Sequence, residues 1–211
     1  MKRCILLVGI VTITVIIGGC AKTIDNNKNM NNQSIDSSEN IIPQENSDLN
    51  EEENKELEES FQEKNDLKKP DIEEARNFKA SLENGSVIMI SRENSKEQEV
   101  YNIASLDKFI ESVNNGEEDY VRVIKGTIKD DGRFLVNKLE EYETDGKVIK
   151  DLVYDTYADK SKFVQGNPSY YSKIVKTCSD DAIRYVILES KDTSDNMGSP
   201  VISFYKSNIK N

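Results

Sequence analysis

YVRVIKGTIKDDGRFLVNKLEEYETDGKVIKDLVYDTY, residues 120–157, is the stretch that decides the fold. Three extended runs, Tyr120–Lys129, Phe134–Thr144 and Lys147–Tyr157, are separated by Asp130-Asp131-Gly132 and by Asp145-Gly146. Asp-Gly between extended runs marks a hairpin, because glycine supplies the positive φ that primed turns require. The stretch therefore predicts an antiparallel meander.

Toward the carboxyl end, Tyr170–Cys178 and Ile183–Glu189 flank Ser179-Asp180-Asp181-Ala182 as another hairpin. In the second of these strands Ile183, Tyr185 and Ile187 alternate with Arg184, Val186 and Leu188, so partial cover is expected on both faces. Pro200–Tyr205 closes the set, with proline at the strand start where no ladder donor is lost. Toward the amino end, Ser105 is the expected N-cap of a helix whose Leu106, Phe109, Ile110 and Val113 fall at i, i+3, i+4 and i+7, ended by Asn115-Gly116. Pro70-Asp71 opens an earlier helix with Ile72, Ala75, Phe78 or Lys79, and Leu82 on one stripe, stopped by Asn84-Gly85. Ser86–Ile90 reads as a buried strand, and Glu99–Ile103 as a short extended piece. The expected fold class is α+β: one or two helices packed on an antiparallel sheet of about six strands, preceded by a disordered tether.

The tether is expected over residues 20–69, ahead of a domain at 70–211. Residues 21–50 are rich in Asn, Ser, Asp and Gln with isolated aliphatics, too few to bury a core. Glu51–Lys69 is Glu-rich, and Leu57, Phe61 and Leu67 are spaced too irregularly for a durable amphipathic face.

Residues 1–19 read as a signal peptide. Lys2-Arg3 precede an apolar run from Cys4 to Ile17, broken only by Thr12 and Thr14. Cys4 to Gly19 spans only ~24 Å as a helix, short of the ~30 Å hydrocarbon core. Ile17-Gly18-Gly19-Cys20 resembles a bacterial lipobox, although such motifs usually carry Leu where Ile17 stands. That resemblance implies cleavage between Gly19 and Cys20 and a diacylglycerol thioether on Cys20, so the membrane is an expected partner through that lipid. Two or more acyl chains make a stable anchor where one is marginal. The implied location is the extracellular face of the cytoplasmic membrane.

Composition narrows the chemistry. There are 28 basic and 39 acidic residues, a formal charge of -11; without Lys2 and Arg3 the balance is 26 against 39, or -13. Nucleic acid selects basic faces and is excluded as a partner. The chain has no histidine, which removes Ser-His-Asp and Cys-His catalysis and every His-ligated metal site. Of three cysteines, Cys4 leaves with the signal and Cys20 is acylated, so Cys178 stands alone, without an internal disulfide, and is expected as a small buried hydrophobe. Asp192, Ser194 and Asn196 echo a calcium loop, but Met197 holds the place that needs glycine and Ser203 the place that needs an acid, so a polar hairpin loop is expected. No cofactor and no metal are expected, and the chain is read as a monomer.

Val100 to about Asp159 carries a resemblance. The residues are Tyr101-Asn102-Ile103 followed by Leu106-Asp107-Lys108-Phe109, then Val113-Asn114-Asn115-Gly116-Glu117 leading into Tyr120-Val121-Arg122-Val123, Thr127-Ile128, Val153-Tyr154-Asp155-Thr156 and Asp159-Lys160. They resemble a family of Gram-positive lipoproteins known as domain of unknown function 4362. The resemblance implies a lipobox, a polar spacer and one α+β domain, and it supplies no activity. Members often carry a second cysteine in the strand after the one matching Cys178; Ile183–Ser190 here has none. Abundant Asn, Lys, Ile and Glu fit an AT-rich, low-GC Gram-positive genome.

Candidate chemistry is sparse. Asp151, Asp155 and Asp159 recur every four residues; the first two share a strand face at ~13 Å, too far apart for a glycosidase pair, and are read as a charged outer face. Tyr154, Tyr157, Tyr170 and Tyr171, with Asp155, form the candidate binding surface for a glycan or peptide, set against a plainer reading as sheet-edge tyrosines with wet hydroxyls. The expected function is a surface-exposed, non-enzymatic binding or accessory domain for an envelope protein or wall polymer. Two alternatives stay open: a wall-directed enzyme or inhibitor using carboxylates such as Asp155, and a passive envelope or spore-coat component.

Overall fold

Residues 54–64, 66–195 and 197–210 are described in a computed structural model, and all of them fall in the unit Ile41–Asn211. The signal peptide, Gly19, Cys20 and the tether up to residue 53 lie outside the described residues.

Residues 54–60 are helical (α1). A 3-10 turn at Ile72–Arg76 and a short helix α2 (Phe78–Glu83) precede strands β1 (Val87–Arg92) and β2 (Gln98–Tyr101), then helix α3 (Ile103–Asn115). The meander of residues 120–157 is β3 (Glu118–Ile128), β4 (Phe134–Asp145) and β5 (Ile149–Asp155). Two short strands, β6 (Val164–Gln165) and β7 (Ser169–Tyr171), follow, then β8 (Lys173–Ser179), β9 (Ala182–Leu188), β10 (Ser199–Tyr205) and a 3-10 turn at Lys206–Asn208. The fold is α+β.

Seven strands make one sheet in the order β2-β1-β3-β4-β5-β6, with β7 also on β5; β10-β9-β8 make a second. The main sheet is mixed rather than wholly antiparallel, because β1 and β3 run parallel with Val87 opposite Val123 and Ile88 opposite Ile124. Joining parallel neighbours takes a crossover of a dozen or more residues, here supplied by β2 and α3. Hairpin punctuation cannot reveal such a pairing. The second sheet arises where the chain changes partners: the run expected as one strand over Tyr170–Cys178 breaks at Ser172, whose N–H donates to Leu188 O at 3.1 Å.

Two helix boundaries differ from expectation for a common reason. The helix expected from Pro70 is split at extended Asn77 (φ -109°, ψ 108°), whose side chain accepts from Ala80 N at 3.1 Å and caps α2. α3 starts at Ile103 after left-handed Asn102 (φ 55°), not after Ser105, whose hydroxyl donates to Gly85 O at 2.9 Å. Asn102 Nδ2 donates to Leu82 O and Ser86 O, both at 3.0 Å, tying the end of α2 to the start of α3. Short polar side chains that bond nearby backbone compete with helical continuation and favour caps.

Both faces of the main sheet are covered over much of its area. Val87, Val121, Val123, Tyr142 and Ile149 meet Leu106 and Phe109 of α3 and Tyr185, Ile187, Ile202 and Phe204 of the second sheet. On the opposite face Ile88, Ile90, Ile124 and Leu139 meet Ala75 and Phe163, with Ile72, Phe78 and Leu82 packed around them. Each fully buried aliphatic of this kind contributes about 1.5–3 kcal/mol. In the second sheet, Val186 and Leu188 are fully buried on the side away from Tyr185, beneath Gly198, where a Cβ would overlap Val186 Cγ1. Both faces of β9 are covered.

The chain ahead of Pro70 is also held to the sheet. Phe61 lies against Tyr170 with ring centroids 5.7 Å apart, Gln62 N donates to Asp145 Oδ2 at 2.9 Å, and Lys69 Nζ is 2.5 Å from Glu143 Oε2. Composition alone grouped these residues with the tether.

Candidate functional site

Register distributes the five candidate binding residues over three places. Tyr154 and Tyr170 lie on the face carrying Ile124 and Leu139: Tyr154 sits opposite Leu139 and Tyr170 opposite Lys150. Tyr154 donates its hydroxyl proton to Glu141 Oε2 at 2.7 Å, and Tyr170 is only 8% exposed. Tyr171, opposite Ile149, points to the other face and packs against the α3-side core. Asp155 ends β5 as a turn-former, its Oδ1 accepting from Tyr157 N at 2.8 Å and Ala158 N at 2.9 Å. Tyr157 is largely exposed, its hydroxyl 3.4 Å from Asn137 Oδ1. Tyr154 and Tyr170 share a surface; the other three do not join them.

Asp151 corrects the reading of a charged outer face. It is buried, 6% exposed, opposite Tyr142. Cys178 is corrected in the opposite sense: it is a free, exposed thiol. It shares Ile174's side of β8, but one pleat beyond Lys176, which already pairs with Asp107 of α3 at 2.8 Å at the edge of the core.

Asp151 belongs to a buried polar cluster on the α3-side face. Glu140, opposite Val123 and Val153, is 3% exposed; its Oε1 lies 2.6 Å from Lys138 Nζ and its Oε2 3.8 Å from Lys125 Nζ. Glu140 Oε2 and Asp151 Oδ1 have no hydrogen-bond partner. Burial, then the charge of Glu140, pushes the Asp151 carboxyl up to about 7, against the pull of Lys138 and Lys125. Burial lowers Lys125, with Glu140 opposing, and raises Tyr142, which the Glu140 and Asp151 charges raise further. A carboxyl raised by burial beside a second acidic side chain is the kind of pairing that splits acid and base roles in glycoside hydrolysis. Here both unpartnered oxygens are sealed from solvent, so the pair can hold a proton but cannot meet a substrate.

A second cluster occupies the face shared by Tyr154 and Tyr170. Arg122 is 1% exposed and pairs with Glu141, Nη2 to Oε1 at 2.8 Å and Nε to Oε1 at 3.0 Å. Tyr120 also donates to Glu141 Oε1. The remaining guanidinium donors reach backward along the chain: Nη2 donates to Pro70 O at 2.7 Å and Nη1 to Asp71 O at 3.0 Å. Burial, with the Glu141 charge, drives the Tyr120 and Tyr154 hydroxyls well above their usual range, so both remain donors. Beside this cluster Glu143, 3% exposed, takes Lys69 on Oε2 while its Oε1 has no hydrogen-bond partner. A cleft of about 210 Å³ opens between Lys68, Pro70, Ser86, Lys108 and Tyr120.

The sequence offered one route to the Asp151 cluster that composition and periodicity miss. Counting outward from the Asp145-Gly146 turn places Thr144 opposite Ile149, Tyr142 opposite Asp151 and Glu140 opposite Val153. The carboxylate neighbours therefore come from adjacent strands rather than from the four-residue repeat of aspartates.

Among the described residues no group of three or more His, Cys, Asp or Glu side chains is placed to hold a metal ion, and no helix is long and apolar enough to cross a membrane. No protein-family model, no curated protein and no solved structure matches the chain.

Proposed function

We propose that the protein is a lipid-anchored, surface-displayed lipoprotein whose α+β domain binds an extended segment of an envelope protein or wall polymer. The lipobox-like Ile17-Gly18-Gly19-Cys20 and the resemblance to domain of unknown function 4362 support the address. The observation that supports the binding role is the sheet face shared by Tyr154 and Tyr170. Irregular chain already contacts it, through Phe61 on Tyr170, Gln62 N on Asp145 and Lys69 on Glu143. A sheet face that accepts a non-regular segment through alternating aromatic and charged sites has the chemistry of a peptide- or polymer-recognition surface.

Two measurements test this reading. Cys20→Ser should move the protein from the membrane fraction to the medium; unchanged fractionation removes the anchor. Mild crosslinking of intact cells should recover partners with the full chain and lose them when the chain is truncated after residue 69. Identical partners from both forms would remove the domain as the binder.

A further inference from the structure

We infer that the face of β3, β4, β5 and β7 beneath residues 61–69 is a docking site for an extended peptide carrying an aromatic residue and, about eight positions later, an arginine. The chain's own segment is its resident, displaceable occupant. The inference rests on the binding reading above and names the partner's chemistry.

Among its described residues, the occupant is held to the sheet by side chains and one backbone donor, Gln62 N. Phe61 lies between the Tyr170 ring, at 5.7 Å, and Lys150 Nζ, 5.4 Å from its own centroid. Lys64 pairs with Glu118 at 2.6 Å and Glu63 with Lys150 at 3.3 Å. Lys64 and Glu118 keep 32% and 42% of their side chains exposed and Glu63 keeps 67% against 11% for Lys150, and pairs with an exposed partner at this distance are individually weak. Among the described residues, no backbone-to-backbone hydrogen bond joins 62–64 or 66–69 to a strand.

Where the occupant ends, the attachment changes character. The buried Arg122 guanidinium grips the Pro70 and Asp71 carbonyls, so release stops there and leaves the two-sided core intact. The segment can lift without unfolding what lies beneath it.

The surface so exposed is acidic and incompletely served. Glu118, Glu143 and Asp145 line it beside Lys150, and the occupant answers the acids with Lys64, Lys69 and the Gln62 N–H and the lysine with Glu63. Glu143 is the discriminating group: buried, it receives a single ammonium on Oε2 while Oε1 has no hydrogen-bond partner. A lysine is a point charge, whereas a guanidinium offers two parallel donors matched to both carboxylate oxygens. The site is therefore better fitted to arginine than to the Lys69 it holds. A covalently linked competitor acts at about millimolar effective concentration, so a partner must carry such a gain to displace it.

The test uses the purified full chain and a fluorescein-labelled synthetic peptide of residues 58–70, made as such and with Lys69→Arg. Phe61→Ala in the protein, which loosens the resident segment, should tighten peptide binding at least ten-fold over wild type. The Lys69→Arg peptide should bind at least three-fold tighter than the unmodified one, and Glu143→Gln in the Phe61→Ala protein should erase that advantage. Glu118→Gln, an exposed change that leaves the core untouched, should weaken both peptides two- to three-fold through Lys64 and serves if Glu143→Gln misfolds. Equal binding to wild type and Phe61→Ala, no gain from arginine, or a gain that survives Glu143→Gln would each overturn the inference. Because the assay reads neither lipidation of Cys20 nor any cellular partner, its failure is separable from failure of the membrane and crosslinking experiments.

Discussion

Arg122 and Glu141 face one another across β3 and β4, and their ion pair fastens the entering chain to the sheet as well as closing a charge. The guanidinium spends two donors on Glu141 Oε1 and two on the carbonyls of Pro70 and Asp71. Removing one partner of such a buried pair leaves an uncompensated charge, which costs about 3–5 kcal/mol. Arg122→Met should lose that much in urea unfolding at pH 7. Arg122→Met with Glu141→Gln should recover about half, since the orphaned charge is gone while the carbonyl contacts are still missing.

Asp151 makes stability depend on pH with a defined sign. Its carboxyl lies at about 7 in the folded chain against 3.8 for an ordinary aspartate, facing Lys125, Lys138, Glu140, Tyr142 and Tyr171. The folded state then binds more protons than the unfolded one across that window. Asp151's contribution is greatest below about pH 4 and is lost as pH rises toward 7. Asp151→Asn should flatten this slope, leaving stability unchanged at pH 4 and raising it by up to about 4 kcal/mol at pH 9. Urea midpoints measured at both values check it.

Gly146 and Gly116 touch backbone to backbone where the β4–β5 turn meets the end of α3. Gly146 has φ +89°, and a Cβ on it would overlap the Gly116 carbonyl oxygen. Gly132 has φ +83° with nothing within 4 Å of its hypothetical Cβ. Gly132→Ala should therefore cost only the left-handed penalty of about 1–2 kcal/mol. Gly146→Ala should add overpacking and cost about 2–4 kcal/mol. Thermal melts of the two variants separate conformational strain from collision.

Cys178 should react in the native protein. Iodoacetamide without denaturant, read by peptide mapping, is expected to label it stoichiometrically, and Cys178→Ser should change stability by less than about 0.5 kcal/mol. Protection of the thiol until denaturant is added would contradict its position.

Local chemistry was legible where one periodicity governed a whole element. Leu106, Phe109, Ile110 and Val113 mark α3, and the glycine-bearing turns mark the meander, because each depends only on neighbours in sequence. What escaped reading depends on partners far along the chain. The parallel register of β1 with β3 follows from a crossover, and the break at Ser172 from Leu188 offering its carbonyl. Asp151 reads as a solvated acid by type and is buried because Tyr142, Glu140 and the lysines surround it. Residues 61–69 look like linker by composition, yet the side chains of Phe61, Glu63, Lys64 and Lys69 find sites on the sheet. The tyrosine surface was half legible: Tyr154 and Tyr170 share a face by register, whereas Tyr171, one residue later, alternates to the other.

The parallel pairing of Val87 with Val123 also governs the order in which the molecule can assemble. β1 has only the short β2 beside it until β3 arrives, and non-local pairings of this kind must meet their closure entropy before contacts reward it. A polypeptide delivered amino end first would therefore stay open until about residue 128 had emerged, the last position at which β3 pairs with β1. Such a delay leaves β1 without its parallel neighbour, and the two-sided core unformed, until the crossover has closed.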